Sequence, residues 1–491
     1  GPTGTIAFDT LNRPTSVNYA GSSVTFGYDA GYGVGKLTSM SDSSGSTAWT
    51  FDKLGRVTQK AQTTGAVTLT TSYTYLAGGR VSTMTYPSGA VVGFTYEGAN
   101  VASITVNGVT VISGVTYFPF GGPKGWTMGS IGTYARQMDA HGRITSHTSE
   151  YGTRTLTWDA SSRLTNIAET GQPARTYAYD NLNRLVTASE AASRGYTYDL
   201  TGNRTGETVN GAPYTYAVDS GSNRLSSSVN DMHSRTYAFD ASGNTTGDGA
   251  RTFIYDDVGQ LESVSSSGGS AQYGYNGTGQ RVSKTSSSGA KYYAYAEDGV
   301  SLAGEYGAAG AAAPVVETVY LDGLPVLALK GGAAYYILPD HLATPRAIKD
   351  PAGAVVWRWM SDAFGNGAAN ESPTGGAQFA FNQRFPGQQF DVETGLYYNN
   401  ARYYDPQVGR YITSDPLGLL AGLGTYTYVS NGPAEATDAS GLAAELILFS
   451  PFRKNDEDAY FAALNIHSAP NVFFIAGHGA AIGQRLQDNR W

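Results

Sequence analysis

An aromatic residue followed by Asp, then small or polar residues that are often Gly or Asn, then Arg and an aliphatic, returns along most of this chain. A fixed-period repeat constrains a fold more tightly than any local propensity, because each copy must be the same small structural unit. Clear copies are Tyr179-Asp180-Asn181-Leu182-Asn183-Arg184-Leu185, Trp158-Asp159 with Arg163-Leu164, Tyr198-Asp199 with Asn203-Arg204, and Phe51-Asp52 with Gly55-Arg56-Val57. Weaker copies begin at Phe8, Tyr28, Tyr75, Tyr96, Met138, Val218, Phe239, Tyr255 and Tyr275. From Trp158 to Tyr275 the aromatic position recurs every 16 to 21 residues.

Each copy reads as a β-hairpin. Segments such as Arg175-Thr176-Tyr177-Ala178-Tyr179 alternate aromatic with small or polar residues, the period of a strand with one buried face. Asp with Gly or Asn then supplies side-chain acceptors and tolerance of positive φ, which suits a tight turn. The Arg-aliphatic pair opens the returning strand. A lone hairpin is marginal in water, so consecutive copies are expected to pair edge to edge in one long antiparallel sheet. The repeated Asp and Arg read as turn closure, an ion pair and cover for an aromatic rather than as a row of binding sites.

Composition narrows the function classes. Hydrophobic residues at 41% and aromatics at 12% provide a large core despite 63 Gly. There is no Cys, which excludes disulfides, thiolate metal sites and a cysteine nucleophile from this sequence. The net charge of −8 steers the chain toward neither nucleic acid nor an anionic membrane. Six His are scattered without ligand spacing, so no metal or other cofactor is expected. No basic and apolar leader is visible, and Gly1-Pro2 resembles the scar of tag removal, which suggests further sequence upstream.

The aromatic-Asp pattern resembles the YD repeat of the Rhs family, shared with the TcC components of Tc toxins and more distantly with teneurins. Later motifs resemble the same family's core region: Asp340-His341-Leu342-Ala343-Thr344-Pro345-Arg346, with Ala343 where Gly is usual; Phe385-Pro386-Gly387-Gln388; Asp391 to Leu396; and Arg402-Tyr403-Tyr404-Asp405-Pro406 to Arg410-Tyr411. The resemblance implies a mainly β fold, an antiparallel sheet wound as a spiral into a hollow shell. It implies a YD-repeat region over 1–330, a core region with a self-cleavage motif over 331–442, and a toxin segment from 443 to 491. His341 reads as a packed structural histidine, since spacing nominates no partner for it.

Two carboxylates stand out: Asp415 in Ser414-Asp415-Pro416-Leu417-Gly418-Leu419, and Asp438 in the segment from Pro433 to Leu442. In the family this second segment marks self-cleavage after its final Leu, which places the scissile bond at Leu442-Ala443. Ala439 stands where Pro is usual. Two carboxylates held close cannot both ionise cheaply, so one can serve as base toward a water and the other as acid, as in an aspartic protease. A bond four residues after Asp438 is pre-positioned, so a single turnover at high effective molarity suffices. Arg402 and Arg410 are candidates to orient one carboxylate. Asp-Pro and Asp-x-x-Gly are also ordinary turn formers, and it is the family resemblance that points these two toward catalysis.

After Ala443 the grammar changes to an apolar strand, Glu445 to Phe449, an acidic-headed helix, Asp456 to Leu464, and a second strand, Asn471 to Ala476. This reads as the start of an α/β module, too short to fold independently with ease, so the toxin segment is expected to be incomplete or ordered only in part. Gly477-His478-Gly479 resembles the strand-His-Gly element of caspase-like peptidases; without a Cys, either the toxin is incomplete or His478 does something else, a tight strand exit being the plain alternative. The expected partners are the chain's own toxin as cargo, an immunity protein, and a secretion-spike or Tc-type delivery partner. The protein is expected to be made in a bacterial cytoplasm and exported to target cells. The competing reading is a non-enzymatic, teneurin-like recognition shell.

Overall fold

The computed structural model describes residues 4–19, 21–119, 121–230 and 234–442, together with the backbone of 445 and 446. Among these residues the chain is a succession of antiparallel hairpins. One sheet of 23 strands runs from Thr5–Phe8 to Ser234–Thr236, and a second of 14 strands from Ala238–Phe239 to Ala369–Asn370. The second continues across residue 330, where Leu324–Lys330 pairs with Ala333–Pro339. A four-stranded sheet, Gln388–Phe390 to Arg410–Tyr411, follows. No helix among the described residues is long and apolar enough to cross a membrane.

The repeat owes its form to one carboxylate with three duties. In the copy at Asp180, Oδ1 accepts the N–H groups of Leu182 and Arg184 at 2.9 and 3.0 Å, closing the turn, while Oδ2 accepts the Arg184 Nε–H at 2.7 Å. Asn183 supplies the left-handed residue that the turn requires, at φ 60°. The same guanidinium then reaches the next copy: Arg184 donates to the Asp199 carbonyl at 2.7 Å and lies 4.9 Å above the Tyr198 ring. Tyr198 reaches back, its hydroxyl donating to the Leu185 carbonyl at 2.7 Å. Tyr179 to Leu164 and Trp158 Nε1 to Ile144 repeat this latch at 2.8 Å. Aromatic, Asp, Arg and aliphatic are thus one interlocking unit, and the Arg both pairs with its Asp and covers an aromatic.

The spiral shows in where the chain meets itself. Gly277 N–H donates to Asp42, Gln62 to the Tyr293 carbonyl, Tyr86 to the Thr318 carbonyl and Tyr134 to the Pro339 carbonyl, at separations of 235, 231, 232 and 205 residues. Both members of each pair advance together, so the second pass follows the first in the same direction. Between the passes lies an apolar seam that includes Val92, Ile104, Ile112 and Trp126 from the first and Val319, Leu321, Leu327 and Leu338 from the second. Each such side chain, wholly buried, contributes about 1.5–3 kcal/mol.

A second, aromatic core supports the late segment. Trp357, Trp359, Phe381, Phe385, Tyr397, Tyr404, Tyr411 and Tyr428 pack together, and the hydroxyls of Tyr397 and Tyr404 donate to the Gly365 and Phe364 carbonyls at 2.7 Å. Buried ion pairs join this segment to the repeats, Arg281 to Asp391 and Arg251 to Asp405. Arg281 also lies 4.4 Å above the Tyr398 ring. Asp391 also meets Lys284 at 3.1 Å and Arg251 also meets Asp248 at 2.6 Å, so each is a small buried charge network rather than an isolated pair.

Candidate active site

The four-stranded sheet carries the platform of the site. Its hairpin sets Asn399 opposite Arg402, and Tyr411 lies on the next strand, across from Tyr404. The Arg402 guanidinium lies 3.6 Å above the Tyr411 ring. Past this strand the chain turns through Asp415, whose N–H donates to the Thr425 carbonyl at 2.7 Å and whose Oδ1 accepts the Leu417 N–H at 2.8 Å. Asp438 arrives from the other direction, directly after Ala436–Thr437.

The two predicted carboxylates converge on one cation. Arg402 Nη2 lies 2.8 Å from Asp415 Oδ2 and 3.1 Å from Asp438 Oδ2. The two oxygens therefore lie no farther apart than about twice a hydrogen-bond length. Both residues are buried, at 7% and 1% exposure. Burial pushes the Asp415 carboxyl up to about 6; the Arg402 guanidinium and the Leu417 N–H oppose this, and the nearby Asp438 charge adds to it. Asp438 Oδ2 also accepts the Tyr411 hydroxyl at 2.7 Å. Tyr411 is itself driven far above the ordinary tyrosine range by burial and by Asp438, so it is a donor at any physiological pH. The site is thus an acid pair bridged by an arginine, rather than two carboxylates alone with a proton.

The peptide ahead of the predicted scissile bond lies in this site. Leu442 N–H donates to Asp438 Oδ1 at 3.0 Å, and the Gly441 carbonyl accepts from Arg402 Nε. One peptide unit is thereby held at both ends, two bonds from the Leu442 carbonyl carbon. Ala443, the other side of that bond, and His478 lie outside the described residues, as does the remainder of the expected toxin segment apart from a two-residue backbone pairing of Glu445–Leu446 with Ala436–Thr437.

The remaining candidates separate clearly. Of the two arginines, Arg402 joins the pair; Arg410 donates to the Asn223 carbonyl and faces Tyr426 at 5.1 Å, and burial lowers it to about 10. His341 is buried, with Nε2 3.0 Å from the Ala434 carbonyl and its ring edge-on to Trp158 at 6.0 Å. Burial depresses its pKa, and its contact is to the turn that precedes Ala436–Thr437 and Asp438. Spacing did not single out Tyr411 or Asn399. Asn399 donates to the Tyr411 hydroxyl at 2.7 Å and to the Asp438 carbonyl at 2.9 Å. An Asn-Asn pair between tyrosine-rich strands was the available signal, though it also reads as an ordinary hairpin turn. Among the described residues no cluster of three or more His, Asp or Glu is arranged to hold a metal.

Comparison with known proteins agrees with this architecture. The chain is 42% identical over 113 residues to toxin protein Tse5 of Pseudomonas aeruginosa (strain PAO1), covering 23% of this chain and 8% of Tse5. It is 39% identical over 111 residues to RhsA of Dickeya dadantii (strain 3937), covering 22% of this chain and 7% of RhsA. The chain thus spans a small part of these relatives. The crystal structure of TcdB2-TccC3-TEV superposes with a TM-score of 0.66 at 17% identity, over 89% of this chain and 27% of that one, a likeness of fold. Residues 128–423, more than half of the chain, match the Teneurin YD-shell family. The chain belongs to that family, as an Rhs-type YD-repeat shell protein related to toxin carriers.

Proposed function

We propose that this protein is the carrier of an Rhs-type toxin, and that it frees the segment beginning at Ala443 by hydrolysing its own Leu442-Ala443 bond. The observation that carries this reading is the Gly441-Leu442 peptide unit, hydrogen-bonded to Arg402 at one end and Asp438 at the other, beside Asp415. Asp438 takes a proton from an attacking water, whose oxygen bonds to the Leu442 carbonyl carbon. Asp415, neutral over an unusually wide pH range, gives its proton to the Ala443 nitrogen as the C–N bond breaks. The products are a carboxylate at Leu442 and an amine at Ala443. Arg402 spans both carboxylates throughout and offsets the negative charge that develops on the tetrahedral carbonyl oxygen.

In this reading the spiral sheet encloses the downstream segment as cargo. The partners are an immunity protein in the producing cell and a spike or Tc-type component for delivery, with synthesis in a bacterial cytoplasm and export to a target cell. Denatured intact mass tests the core of it. Two pieces divided after Leu442 in wild type, with Asp415→Asn and Asp438→Asn each whole, are expected. A single uncut wild-type chain would favour a non-enzymatic recognition shell. Growth arrest on expression of residues 443–491 without the shell, relieved when the shell precedes them, tests the cargo.

A further inference from the structure

The segment that enters the active site is gripped from its other side by a hairpin turn. In chain order, residues 399–402 each give one N–H to one carbonyl of residues 438–441. Asn399 Nδ2 donates to the Asp438 carbonyl at 2.9 Å, Asn400 Nδ2 to that of Ala439 at 2.7 Å, and the Ala401 backbone N–H to that of Ser440 at 3.1 Å. Arg402 Nε completes the series at Gly441. Four successive donors meet four successive acceptors, so the two segments lie side by side in matched register. The two asparagines supply side-chain donors ahead of the Ala401 backbone N–H and so extend the row by two positions.

The contacts are almost all to main chain. At Gly441 a side chain is excluded: φ is +72° and a Cβ would overlap the Asn399 carbonyl oxygen. At residue 439 the contacts are with the backbone, a carbonyl held by Asn400 and lying against Gly387.

We propose that residues 399–402 form a substrate clamp that sets which peptide bond is cut, a proposal that rests on the self-cleavage reading above. The clamp ends at the Gly441 carbonyl, so that the next carbonyl in the chain, that of Leu442, is left for Asp415 and Asp438 to act on. Asn399 and Asn400 are positioning residues: they hold carbonyls upstream of the reacting atoms and exchange no proton. Recognition runs through main-chain carbonyls upstream of the bond, with Gly441 the position in the row where a side chain is excluded.

The test is a time course of the full chain made by cell-free synthesis, with fragment masses read at intervals. Asn400 is at φ 49°, so Asn400→Gly removes the donor and keeps the turn. It is expected to melt with wild type and to cut about tenfold more slowly. Asn399→Ala combined with Asn400→Gly is expected to cut about a hundredfold more slowly and to yield termini displaced from Leu442. The pH dependence of cleavage by Asn400→Gly is expected to match wild type, because the Asn400 amide donates to the Ala439 carbonyl and not to the Asp415 and Asp438 carboxylates. Wild-type rate and a single terminus at Leu442 in folded Asn400→Gly would overturn the clamp while leaving self-cleavage intact. An uncut wild-type chain would overturn both. Should Asn399→Ala fail to fold, Asn400→Gly decides alone.

Discussion

On the proposed mechanism, an acid role for Asp415 makes the rate of self-cleavage a function of pH that can be worked out in advance. Its carboxyl is buried, held by Arg402 Nη2 at 2.8 Å and the Leu417 N–H at 2.8 Å, and burial outweighs both to bring it to about 6. With that midpoint it is protonated in about half of molecules at pH about 6, about one in eleven at pH about 7 and about one in a hundred at pH about 8. If the chemical step draws on this proton, the first-order rate falls about tenfold for each unit above about pH 6. Chain collected uncut in denaturant and diluted into buffers across that range, with fragments followed by intact mass and folding followed by circular dichroism, gives the profile. Arg402→Met sharpens the experiment. Without the guanidinium that pulls Asp415 down, the break moves to higher pH, and two buried carboxylates left without their cation cost about 3–5 kcal/mol of stability. A rate that is level or rises between about pH 6 and about pH 8 would refute Asp415 as the acid. A break that stays where it was in Arg402→Met would refute the bridging role of Arg402.

Other consequences are separately measurable. Gly441→Ala places a methyl against the Asn399 carbonyl at φ +72°, and is expected to slow cleavage more than a hundredfold, leaving one intact mass. Asp415 titrates near 6 when folded and near its ordinary value when unfolded, so its contribution to stability is full below about pH 4 and is lost as pH rises through about 6. The loss is about 3 kcal/mol, and urea unfolding of wild type and Asp415→Asn on either side of that window checks it. Ala343 is held at φ 60° in the turn closed by Asp340, so Ala343→Gly is expected to raise stability by about 1 kcal/mol, read as a higher melting temperature. Tyr198→Phe removes the latch to the Leu185 carbonyl and is expected to cost about 1 kcal/mol in denaturant unfolding, with the sheet otherwise intact.

Much of the fold was legible because its information is local. The hairpin is encoded within a few residues: the Asp that accepts two backbone N–H groups, the left-handed Asn or Gly, and the Arg four positions on all lie in a single stretch, so reading one copy reads the rest. The candidate site is different in kind. Asp415 and Asp438 could be nominated from family motifs, but their meeting depends on Arg402, which lies 13 residues before one and 36 before the other. Arg402 and Arg410 sit in equally plausible places in the sequence, at the two ends of one strand pair. Pairing and side-chain direction send the first to the carboxylates and the second to Tyr426 and Asn223.

The sequence by itself determined the antiparallel hairpin array and its period, because turn chemistry and alternation act over a handful of residues, whereas Asp415 and Asp438 were nominated by family resemblance rather than by local chemistry. Only the tertiary structure decided how the array returns on itself after 205 to 235 residues. The same holds for the bridging of both carboxylates by one guanidinium and for the carbonyl register held by residues 399–402. Those features depend on which distant surfaces exclude water from each other, and burial is a property of the assembled chain that no short window contains.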